Sequence, residues 1–313
     1  MPAHITHSIF GDEVLKSQFA DEQSSSYSVC GYGISHAAYE WALQGPDILF
    51  FAVLAGDKAL PKHGSLMHHK KNDELFIMLQ QYAVSIKDTP DFQVVFSYIC
   101  GFICHYILDK NCHPYVYCMQ ERRAEEKTRQ HSIHNKIESD IDSAMARCKF
   151  CLTPQRFKIS EQLLNDEQVY LPVARLYEYL LANLYDIRVT AQELLSAFKG
   201  SKRYYKIIID RFGLGIVAKA IDLFSGKRGR VHSLLRVKRY DPSVMNYEHR
   251  PWCNLQRPEI SFTQSFDELF EASKPEAGQL IKKVASLILN GTPKQVTCGD
   301  SFDNGSPKTI QHS

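Results

Sequence analysis

No run of apolar residues in this sequence approaches the roughly 20 needed to span a bilayer; the longest, Ile48 to Ala55, falls well short. A secretory start is also missing. MPAHITHSIFGDEV places two histidines and an early acidic pair where a signal peptide needs a basic start and an apolar stretch. These two absences predict a cytoplasmic protein with no transmembrane segment. Charge of one sign is missing as well: 37 Lys and Arg stand against 35 Asp and Glu, a net charge of +2. That balance excludes a strongly basic nucleic-acid coat protein, though not a local patch. The nine cysteines form no disulfide framework expected of an exported domain and read as thiols. Cys148 and Cys151 make one CxxC pair with no second pair to complete a zinc site, so two helix-surface residues is the plainer reading. Convincing strand-like alternation is absent too, and no Asn-Gly turn sits between strand-like runs.

What remains is an ordinary globular composition, 44% hydrophobic and 23% charged, in a chain long enough for one large domain or two small ones. Apolar residues recur at helical spacing in 9–19, 36–43, 75–86, 92–108, 133–145, 169–198, 205–224 and 266–289, which predicts an all-α, multi-helix fold. The expected layout is a helical core over residues 1–160, a C-terminal helical part over 161–290 packed on it, and a loose polar tail over 291–313.

Histidine is the anomaly. Ten of the 13 lie in the first 134 residues. In GFICHYILDKNCHPYV, His105, Asp109 and His113 follow at steps of four. Each such step turns a helix by only about 40°, so all three share a face, but the two histidines are about 12 Å apart along the axis. One small ion cannot be gripped comfortably by both. A central carboxylate flanked by imidazoles suits two cations separated by roughly 3.5–4 Å and bridged by Asp109. Pro114 disfavours helical geometry in the residue before it and predicts His113 at a helix end. In HSIHNKIESDID, His134 and Glu138 share another helical face, a spacing that serves a metal or an ordinary hydrogen bond. His131 reads as a supporting residue, and Asp140 and Asp142 as a solvated face or as orienting groups.

Three further elements are weaker alone. In GPDILFF, Pro46 suits the first turn of a helix and Asp47 its positive end. In GSLMHHKK, adjacent His68 and His69 point differently, so at most one faces any given site. His4 and His7 precede the first amphipathic stretch, where a flexible terminus would expose them.

In this order, an N-terminal histidine before a helix, an early Asp, a histidine, HxxxD with a following His, then HxxxE, the chain resembles the bacterial zinc-dependent phospholipase C family, whose superfamily includes the fungal single-strand nucleases. The resemblance covers roughly residues 4–142. It implies an all-α fold holding two to three zinc ions that hydrolyse phosphodiesters. It implies His105 and a bridging Asp109 on one side of the cluster, with His113, His134 and Glu138 on the neighbouring ion. Asp47 would be a ligand or the base acting on water, His68 would complete the first ion's shell, and His7 would serve a third ion. Two departures stand out: His113 follows Asp109 more closely than in the family, and MPAH offers no match to the N-terminal amino group that secreted members use, for which His4 or the Pro2 amine is the available substitute.

The expected substrate is a phosphodiester, with a phospholipid head group favoured over nucleic acid. Phe50, Phe51, Tyr115 and Tyr117 are candidates for an apolar surface, with plain core as the simpler reading. The basic stretches KRGRVHSLLRVKRY and FKGSKRYYK are candidates for attracting anionic head groups or nucleic acid, solvated surface being the simpler reading. The competing classes are a nuclease-like phosphodiesterase and a non-catalytic helical protein that keeps a structural metal site.

Overall fold

The computed structural model describes residues 4–20, 26–123, 130–157, 167–208, 214–224, 231–236 and 239–303. They form α1 (His4–Phe19), a short β1–β2 hairpin (Ser28–Val29, Tyr32–Gly33), α2 (His36–Ala42), a 3-10 segment (Gly45–Ala55), α3 (Pro61–His69) and α4 (Asn72–Ser85). Next come α5 (Phe92–Arg123), α6 (Gln130–Phe150), α7 (Glu167–Tyr185), α8 (Ala191–Ile207) and α9 (Leu214–Phe224). A second hairpin, β3 (Trp252–Asn254) with β4 (Arg257–Phe262), precedes α10 (Phe266–Leu289). The fold is all-α, as the periodicity implied. The two antiparallel hairpins are the correction: each is too short to show alternation against its flanking turns.

Helix α5 is the axis. Its 32 residues span about 48 Å, and α1, α2, α6 and α10 all pack against it. By length and composition its most apolar 18-residue window is sufficient to cross a bilayer, which corrects the reading that no run comes close. Yet 89% of that window is buried inside the molecule, so its apolar surface is spent on protein neighbours. Pro114 sits inside this helix and does not end it; His113 is mid-helix, not terminal. The N-termini of α8 and α10 are set by reciprocal capping boxes, Thr190 with Glu193 and Ser265 with Glu268, each satisfying two otherwise orphaned N–H groups.

One continuous set of buried side chains runs from Ile5 to Phe302 and draws on both halves of the chain. Residues 291–303, expected to be loose, fold back instead. Asp73 accepts hydrogen bonds from Gln295, Thr297 and Gly299, Gln80 accepts from the Lys294 N–H, and Phe302 is fully buried. Residues 304–313 lie outside the described residues.

Candidate metal centre

Four helices and the 3-10 segment meet at one buried cluster. Helix α1 brings His7, and its own first turn is anchored by α6: Asp142 accepts hydrogen bonds from the Thr6 N–H (2.9 Å) and hydroxyl (2.8 Å). A carboxylate there satisfies an otherwise free helix N–H and complements the positive helix end. Arg236 donates to the other Asp142 oxygen at 2.8 Å, and both side chains are buried. Asp142 is therefore a clamp between α1 and α6, not part of a solvated face. Asp140 is also buried and pairs with Lys136. His4 and His7, expected to be exposed, are inside α1 and buried.

The 3-10 segment starts at Gly45, whose φ of +50° suits a residue without a side chain, and continues with Pro46 and Asp47 in its first turn. Gly45 lies against the His105 ring: a Cβ there would come within 2.6 Å of Cγ and 2.7 Å of Nε2. From α3, His68 points its Nε2 to Asp47 Oδ1 at 3.2 Å, whereas adjacent His69 turns away to Asp303. On α5, His105 Nε2 lies 3.2 Å from Asp109 Oδ2 and His113 Nε2 lies 3.8 Å from Asp109 Oδ1. His7 Nε2 approaches the same Oδ1 at 3.0 Å and its ring stacks on His105 with centroids 4.3 Å apart. From α6, Glu138 Oε1 is 3.1 Å from His134 Nε2 and 3.4 Å from His113 Nε2.

All eight residues named from the sequence thus meet in one chain of contacts, as three groups: His7, His105 and Asp109; Asp47, His68 and His105, which shares His105 with the first; and His113, His134 and Glu138, joined to the first through the His113–Asp109 approach. Each group's ligand atoms lie within 4.8 Å of one another, and every member is buried. His7 groups with Asp109 and His105.

The imidazole tautomers decide what the cluster can hold. His68, His105 and His113 each engage a backbone carbonyl through Nδ1, to Gly64 (2.8 Å), Leu43 (3.1 Å) and Phe302 (2.8 Å). A carbonyl only accepts, so each Nδ1 carries the proton and each Nε2 of a neutral ring presents a lone pair. Those lone pairs point toward carboxylate oxygens. Acceptors facing acceptors in a buried site repel unless a second proton or a cation stands between them. His68 Nε2, His105 Nε2 and Asp47 Oδ1 are indeed buried without a hydrogen-bond partner among the described residues. The donor set, imidazole nitrogen and carboxylate oxygen without sulfur, suits zinc. Burial resists charge on both Asp109 and His113. Even so, the histidines His113, His105 and His7 hold the Asp109 carboxyl well below its ordinary value, and Asp109 with Glu138 pushes His113 up to about 9.

A family model described as zinc-dependent phospholipase C matches residues 6–193, more than half of the chain. The chain belongs to the zinc-dependent phospholipase C family. Neither a curated protein nor a solved structure gives a match. For a phospholipase C relative, two residues beside the cluster escaped sequence reasoning. Phe302 packs on His68 and His105 (centroids 5.0 and 5.9 Å) and supplies the carbonyl for His113, from a segment whose polar composition gives no hint of it. Gln120 pairs with His134 Nδ1 at 2.8 Å, one helix across.

Of the aromatic residues considered for a lipid-facing surface, Phe51 and Tyr115 are core and Phe50 is half-buried against His68. Tyr117, also half-buried, donates to Asp303. His249 is exposed, and Trp252 is buried in the β3–β4 hairpin. Arg236, assigned from its neighbours to a solvated basic stretch, is buried on Asp142. Lys227, Arg228, Arg230, Lys238 and the His131 side chain lie outside the described residues. Cys148 and Cys151 are both exposed.

Proposed function

We propose that this phospholipase C relative hydrolyses the phosphodiester bond of a phospholipid head group, using two or three zinc ions held by His7, Asp47, His68, His105, Asp109, His113, His134 and Glu138. The supporting observation is the set of Nδ1-anchored imidazoles whose Nε2 atoms face carboxylates in a buried space. Zinc bound there supplies Lewis acidity toward phosphoryl oxygens and makes water easier to deprotonate.

The protein's own part is orientation and proton handling. The Gly64, Leu43 and Phe302 carbonyls fix three imidazoles so that no reorganisation accompanies binding. Asp109, between His7, His105 and His113, couples the two sides of the cluster. Asp47, beside His68 and His105, takes the proton of the attacking water.

Protein purified without added zinc is analysed for metal and assayed on bis-(p-nitrophenyl) phosphate, phosphatidylcholine and single-stranded DNA. Two or more zinc equivalents, chelator-sensitive cleavage, preference for phosphatidylcholine over DNA, and loss of both metal and activity in Asp109→Ala support the reading. Asp47→Asn is expected to keep most of its zinc and lose roughly 100-fold or more in kcat, the scale of a missing general base. Metal-free, folded protein that cleaves no phosphodiester overturns it.

A further inference from the structure

The family match ends at residue 193, and the helix that follows α8 is built inside out. In α9, LGIVAKAIDLF, the stripe turned inward is small or polar: Gly215, Ala218 and Asp222 are buried. Asp222 accepts hydrogen bonds from the Val231 (2.8 Å) and His232 (2.9 Å) N–H groups, fixing the helix on the segment that follows it. The opposite face is apolar and open to water. Ile216 is 78% exposed, Leu223 75% and Phe224 88%, with Val217 and Ile221 each about half exposed. At 100° per residue these five side chains occupy one arc of about 160°, with Lys219 at its edge. A helix that only served the fold would turn this arc inward.

In sequence the helix is flanked by basic residues. Residues 199–230 contain nine Lys and Arg against two Asp, one of which is the buried Asp222, in a chain whose total is only +2. Lys199, Arg203, Lys206 and Lys219 are exposed, and Ile207 beside Lys206 is half exposed. Helix α8, which ends at Ile207, packs on the 3-10 segment that carries Asp47. Arg203 donates to the Leu54 carbonyl at 2.6 Å, next to exposed Val53 and Leu54, and these lie at the far end of the same 3-10 segment that carries Asp47. From Asp47 to Val53 that segment rises about 12 Å.

We propose that the outer face of α9, with Ile207 and the flanking basic residues, docks the protein on an anionic phospholipid surface. The inference deepens the phospholipase reading by stating how the chain reaches its substrate. An apolar helix face with Lys219 at its edge and basic residues close by in sequence is what an interface between head groups and acyl chains accepts, and anionic lipid adds attraction to each cation. A second copy presenting the same basic face would be repelled, so self-association is the weaker use of this surface.

The test measures binding apart from catalysis. Full-length zinc-loaded protein is sedimented with vesicles of phosphatidylcholine alone or with a quarter phosphatidylserine, and its mass in solution is measured by light scattering. Expected are binding to the anionic vesicles that weakens with salt, and a loss of about tenfold or more in Ile216→Ser/Leu223→Ser/Phe224→Ser, in line with interfacial binding that scales with buried apolar area. This variant is expected to cleave bis-(p-nitrophenyl) phosphate like wild type, since none of the three residues touches the metal centre. Vesicle binding equal in variant and wild type overturns the proposal. So does a wild-type dimer that becomes monomeric in the variant without any change in vesicle binding. Lipid binding by a protein that hydrolyses nothing would leave this surface standing while removing the enzymatic reading.

Discussion

Replacing Gly45 by Ala tests whether the start of the 3-10 segment and the metal centre are a single construction. Two costs apply. The residue has φ +50°, where an L side chain is strained by about 1 kcal/mol. A Cβ would also lie 2.6 Å from His105 Cγ and 2.7 Å from its Nε2, well inside carbon contact distance, so the ring or the segment must retreat by about 1 Å. His105 has little freedom to do so, being fully buried, bonded to the Leu43 carbonyl and stacked on His7. Gly56, at the other end of the segment, supplies the control. It too has positive φ, +99°, but a Cβ there meets nothing within 4 Å. Gly56→Ala is expected to lose a little thermal stability while keeping its zinc and activity. Gly45→Ala is expected to lose more stability, at least one zinc equivalent, and roughly 100-fold in kcat/KM, the scale of a 1 Å misplacement. Thermal melts, metal analysis and bis-(p-nitrophenyl) phosphate hydrolysis read the three effects. If Gly45→Ala matches Gly56→Ala in all of them, the close approach to His105 has no bearing on the centre.

Further outcomes can be checked independently. Burial first, then the negative charge of Asp12, raises the Glu40 carboxyl to about 8. The unfolded chain ionises this group first, so its contribution to stability declines as pH rises from about 4.5 and levels off above about 8; Glu40→Gln is expected to remove that slope and gain roughly 3 kcal/mol near neutral pH, read from denaturant melts across pH. Arg236→Met leaves the Asp142 carboxylate buried without its cation and is expected to cost about 3–5 kcal/mol, whereas Arg236→Met with Asp142→Leu recovers part of it in a double-mutant cycle. Phe302→Ala opens a cavity against His68, His105 and Tyr106 and is expected to cost about 3–5 kcal/mol with weakened zinc retention; unchanged melting would mean that the C-terminal segment is not part of the core. Dialysis near pH 5 is expected to strip zinc that survives at neutral pH, because imidazole nitrogens must be unprotonated to bind it, and retention in acid would argue against a histidine shell.

The helical class and five residues of the centre, His105, Asp109, His113, His134 and Glu138, were legible in local periodicity, whereas Asp47, His68 and His7 were named only through the order of motifs that the family resemblance supplied. A helix presents every fourth residue on one face, so His105, Asp109 and His113, like His134 and Glu138, declare a shared direction without any knowledge of partners. Where local inference failed, a long-range contact had overruled it. Pro114 argued for a helix end, yet α5, held on several sides, continues through it. Arg236 looked like solvated surface from its neighbours and is buried on Asp142, ninety-four residues away in the chain. The polar composition of the C-terminal segment concealed Phe302, whose carbonyl settles the His113 tautomer. Composition and spacing, then, determined which side chains were available and which face of each helix they occupied. Only tertiary packing decided which faces met and which carbonyls oriented the imidazoles. It alone also turned the apolar arc of α9 to water, because each depends on contacts that no local window contains.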